Sequence, residues 1–95
     1  MSQPVVVRPV GIVTSADTFV WSSVPRATRY DVQLFDSAGS VVWSTRTPDT
    51  VVRRPPDISL RPTASYFWKV DAQTGINRTE SSVLAEFSIR KGENP

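Results

Sequence analysis

Residues 66–73 alternate without a break. Tyr66, Trp68, Val70 and Ala72 fall on one face, and Phe67, Lys69, Asp71 and Gln73 on the other. A period of two is the mark of a β-strand with one buried face, since successive side chains project to opposite sides of the pleat. Its apolar side, with the two large aromatics Tyr66 and Trp68, is expected to be buried against an opposing layer of the fold.

The rest of the chain supplies that layer. Strand signals recur with short breaks: residues 4–8, interrupted by Pro9 and Gly11 and resumed at Ile12 and Val13; 18–22; 29–35; 40–46; 50–54; 65–73; and 82–89. No segment keeps an apolar 3.6-residue period over ten residues, which argues for an all-β chain. Prolines in the first segment suit an edge strand, because they cannot donate to a ladder. Phe19 and Trp21 are expected to face inward, as are Tyr30, Val32 and Leu34. Val41 and Trp43 share one face by alternation, and Val52 is the buried residue of 50–54. Pro55-Pro56 ends that strand. In 82–89, Leu84 and Phe87 are the expected core residues, and their opposite parity calls for a bulge between them.

Ninety-five residues make one domain, with a core expected over about 4–89 and a polar tail or linker over 90–95. There is no Cys, so apolar burial alone must stabilise the fold. The longest aliphatic run, Val5-Val6-Val7, is far short of the ~20 residues of a membrane span. Residues 1–4 lack the basic start and apolar stretch of a signal peptide.

Phe19-x-Trp21 followed by Val24, Ala27 and Tyr30, and then Leu60-x-Pro62-x-x-x-Tyr66-x-Trp68-x-Val70-x-Ala72, resemble the pattern of a fibronectin type III domain of the kind appended to larger bacterial proteins. The resemblance covers residues 18–89. It implies a seven-stranded antiparallel Greek-key β-sandwich of immunoglobulin-like architecture, in which Tyr66 closes a corner by hydrogen-bonding to the backbone upstream. The chain departs from the pattern at Arg54, where an apolar residue is expected, and at Thr63-Ala64, where such domains often have glycine.

Composition removes several chemistries. Without His or Cys there is no Ser-His or Cys-His nucleophile pair and no His- or Cys-ligated zinc. The nine acidic residues are scattered, with no calcium-loop spacing, and the four Gly form no phosphate loop. The expectation is therefore a non-enzymatic module with no catalytic residue, cofactor or metal. Net charge is +2, and basic and acidic residues are interspersed, unlike the clustered face of a nucleic-acid binder.

Five residues are candidates for partner binding: Phe35, Phe67, Trp43, Ile76 and Arg78. Phe35 and Phe67 occupy outward positions. If Tyr30 lies opposite Ala72, antiparallel register sets Leu34 opposite Trp68 and Phe35 opposite Phe67, giving either an apolar patch for a partner or a stabilising cross-strand pair. Ile76 and Arg78 lie in the loop expected over 74–81, at an end of the sandwich. Asn77-Arg78-Thr79 also matches a glycosylation acceptor. Arg46, Arg53, Arg54 and Arg61 either attract anions or guard an exposed strand, guarding being the commoner use. The expected role is that of a spacer and protein-interaction module within a larger bacterial extracytoplasmic protein, with a protein partner or neighbouring domains as ligands and no membrane insertion of its own. The alternative is a carbohydrate-binding or accessory module of a glycoside hydrolase, for which Trp43 would have to be a flat exposed platform.

Overall fold

The computed structural model describes residues 3–91. It is all-β, with nine strands: β1 (Val6–Arg8), β2 (Gly11–Val13), β3 (Thr18–Trp21), β4 (Arg29–Asp36), β5 (Val41–Thr47), β6 (Val51–Arg53), β7 (Ser65–Gly75), β8 (Arg78–Ser81) and β9 (Ala85–Ile89). They form a three-stranded sheet of order β1-β3-β6 and a six-stranded sheet of order β2-β9-β7-β4-β5, with β8 paired to β7. Residues 92–95 of the expected polar tail lie outside the described residues. No described helix is long and apolar enough to cross a membrane.

The two sheets enclose one core in a sandwich-like arrangement. Phe19 and Trp21 of β3 meet Trp68 of β7 edge to face, with ring centroids 5.0 and 6.2 Å apart. These are geometries in which the positive edge of one ring meets the negative face of another. Phe19 also contacts Phe87 at 5.9 Å, and Trp21 contacts Tyr30 at 5.7 Å. Val32, Leu34, Val70 and Ala72 complete the inner face of the large sheet, all fully buried. Two tyrosines sink their rings and still satisfy their hydroxyls. Tyr30 Oη accepts from Val24 N at 2.9 Å, and Tyr66 Oη accepts from Arg61 N at 2.8 Å. The second bond closes the corner before β7, as the resemblance implies.

The expected register between β4 and β7 is the one found: Tyr30 opposite Ala72, Leu34 opposite Trp68 and Phe35 opposite Phe67. Eight paired positions with strict alternation leave only one register that buries the apolar set, since a one-residue slip would bring the core residues of one strand opposite the outward residues of the other.

Several expectations are corrected. Among the described residues there are nine strand segments, because the first expected strand is cut in two and the expected 74–81 loop contains β8. Gly75 lies opposite Arg78, so only Ile76 and Asn77 turn the chain, and Asn77 takes φ 62°, a left-handed conformation that asparagine tolerates. The sheets are not wholly antiparallel. The chain leaves β1 through a cis Arg8–Pro9 bond and a Gly11 at φ 73°, and β2 then pairs parallel with β9 in the other sheet. The carbonyl of the buried Pro9 accepts from Trp68 Nε1 at 2.9 Å, which fixes the crossing against the core.

Leu84 is 55% exposed, and Ala85 and Phe87 provide the inner face of β9. These two have the same parity, so no bulge is needed there. A bulge falls in β5 instead. Leu34 faces Trp43 while Phe35 faces Val41, and Val42 is the extra residue. It reverses parity, so Val41 turns outward while Val42 and Trp43 pack against the core.

Candidate interaction surface

The outer face of the large sheet is built by the residues that alternate with the core. One row crosses four strands: Val41 on β5, Phe35 on β4, Phe67 on β7 and Glu86 on β9. Val41 is 55% exposed, whereas Phe35 and Phe67, paired across the two strands, are half-buried. The next outward row, Ser44, Gln33 and Lys69, is polar. An apolar strip with a polar border has the composition of a small protein-contact patch.

Beyond it lies a charged row. Asp31 and Asp71 stand directly opposite one another, an arrangement that would be repulsive if both were bare. Each is instead neutralised by its own cation: Arg46 Nε donates to Asp31 Oδ1 at 2.7 Å, and Lys69 Nζ lies 3.5 Å from Asp71 Oδ2. Asp31, Arg46 and Asp71 line an open groove of about 480 Å³ with Gln33 and Ser44. Its carboxylates are each paired with a cation, while Asp71 Oδ1 is buried without a hydrogen-bond partner. Among the described residues no three acidic side chains come together as a cation site.

The five candidate residues do not form one site. Phe35 and Phe67 are adjacent, as the alternation implies. Trp43 faces the opposite way, with its ring 5.6 Å from Phe19 in an edge contact. Its place opposite the buried Leu34 in the unbroken part of the ladder is the cause, and a flat exposed sugar platform is not what this side chain provides. Ile76, 94% exposed, and Arg78 lie at the tip of the β7–β8 hairpin, at the end of the molecule away from the Tyr66 corner. Alternation through the bulge conceals Val41, the most exposed member of the strip.

The basic quartet also divides. Arg46 is bound to Asp31, and Arg61 is exposed near the Tyr66 corner. Arg54 is a structural residue. Its Nε donates to Ala16 O at 3.0 Å, Nη1 to Ile58 O, and Nη2 to Asp17 Oδ1 at 3.1 Å. Its backbone N donates to Asp17 O at 2.8 Å. An arginine at this otherwise apolar position is accounted for by three carbonyl and carboxylate groups within reach of one guanidinium fork. Arg53 alone keeps the guarding position, on the edge strand β6.

No protein-family model matches the chain, and comparison with curated proteins gives no match either.

Proposed function

We propose that the chain is a fibronectin type III-like module of a larger protein, and that it serves as a spacer and a protein-contact surface rather than as an enzyme. The reading includes a seven-strand Greek-key ancestry for the present nine segments, with β1 and β2 as halves of one strand and β8 as an extension of the β7 hairpin. A bacterial extracytoplasmic setting belongs to the same reading and rests on the resemblance alone. The Tyr66 corner and the meeting of Trp21 with Trp68 across the two sheets support the family reading.

The apolar strip Val41–Phe35–Phe67 carries the functional part of the proposal. A solvent-facing sheet surface has no packing need for two aromatics and a valine in one row, whereas a surface that meets another protein does. The carbohydrate reading loses its platform residue, because Trp43 packs on Phe19.

Photo-crosslinking in the native host tests the proposal. A benzophenone amino acid placed at Val41 or Phe67 is expected to give a discrete adduct, and one placed at Val51, on the outer face of the small sheet, is not. Equal labelling from all three positions, or none from any, would remove the contact role from this face.

A further inference from the structure

We propose that a recess at the edge of the small sheet, between Arg8 and Arg53 and beside the crossing from β1 to β2, is a binding site for a tetrahedral oxyanion, the phosphate or sulfate group of a small ester. Phe19 and Trp21 of β3 point inward, so Thr18 and Val20 point outward. Arg8 lies opposite Val20 and Arg53 opposite Thr18. The two arginines therefore rise on the same outer face from the two edge strands, one on either side of β3. Guarding an edge accounts for one arginine on each edge strand. It does not account for their convergence on a single recess of about 290 Å³, which Ser15, Asp17 and Thr18 also line.

The charge balance of that recess favours an anion. The ion pairs among the described residues are Arg46–Asp31, Arg54–Asp17 and Lys69–Asp71, and neither Arg8 nor Arg53 belongs to one. Asp17 is the one carboxylate on the lining, and Arg54 Nη2 holds its Oδ1 at 3.1 Å. Two guanidinium forks remain free. Their planar paired donors match phosphate and sulfate oxygens better than a point charge does. The hydroxyls of Ser15 and Thr18 add neutral donors, and neither is tied to another protein group among the described residues. This recess and the apolar strip share no residue, so either reading can fail without the other.

The test is an NMR titration of the whole chain with inorganic phosphate and, separately, with sulfate, at an ionic strength held constant with chloride. Saturable shifts are expected at the Ser15 and Thr18 amides and at the Arg8 and Arg53 Nε–H groups. Arg8→Gln and Arg53→Gln should each weaken binding about tenfold, the loss of roughly one charge-assisted contact. Arg26→Gln, at the other end of the molecule, should leave it unchanged. Unchanged melting curves identify the variants as folded, as expected for exposed edge positions. Phosphate binding should strengthen as pH rises through neutrality, where the free ion loses its second proton, while sulfate binding stays level. Binding of one anion alone would identify which ester the recess takes. Unsaturable shifts shared by all arginines, or tenfold variants that bind as well as the parent, would overturn the proposal.

Discussion

Thr63 is a β-branched residue held at φ 67°, in the left-handed region where its Cβ crowds the backbone. The corner needs that bend, because Thr63 N donates to Ile89 O at 2.8 Å and so seats the loop on β9. Its side chain is exposed, and its hydroxyl reaches only the adjacent Pro62 carbonyl. Glycine would relieve a strain of about 1–2 kcal/mol at a cost of about 0.5–1 kcal/mol in unfolded-chain entropy. Thr63→Gly is therefore expected to stabilise the protein by about 0.5–1 kcal/mol, read from urea unfolding with an unchanged denaturant slope. A destabilised variant would mean that the threonine side chain supports the corner. The absence of glycine at this position is visible in the sequence; that the residue there takes a left-handed turn is not.

Arg54 acts between elements. One guanidinium joins the turn before β3, through Ala16 and Asp17, to the segment after β6, through Ile58. Arg54→Met keeps the stem and leaves those acceptors without their donor, so unfolding free energy should fall by about 2–3 kcal/mol. Arg54→Lys should recover less than half of it, because an ammonium cannot span three directions as a planar fork does. A neutral Arg54→Met variant in equilibrium unfolding would show that solvent replaces the clamp. At this scale sequence reading works unevenly, and the reasons are physical. The β4–β7 register is legible because both strands are long and alternate strictly. The β5 bulge is not, because nothing in Val41-Val42-Trp43 marks which of three apolar residues is the extra one. Leu84 misleads because it is large and apolar, while the inner face of β9 begins with Ala85, small enough to sit opposite Trp68.

For the molecule as a whole, the all-β class and the central aromatic cluster follow from periodicity, which reports burial directly. Surface roles follow less readily, since they depend on which exposed residues the folded chain gathers together. Arg8 and Arg53 are distant in sequence and share one recess, whereas the neighbours Arg53 and Arg54 have unrelated roles. The transfer of the first strand from one sheet to the other is likewise silent in the sequence beyond Pro9 and Gly11. Its outcome is that β2 runs beside β9 in the same direction, with Arg90 N donating to Val13 O at 2.7 Å. Traction on the chain ahead of β2 and behind β9 would slide these strands lengthwise, so their bonds must yield together rather than open one after another like a zip. Single-molecule stretching should thus give a higher rupture force for the parent than for Val13→Pro, which disrupts the end of that ladder, and equal forces would show that the load travels elsewhere. A link in a tethered array could in this way bear strain without depending on any disulfide.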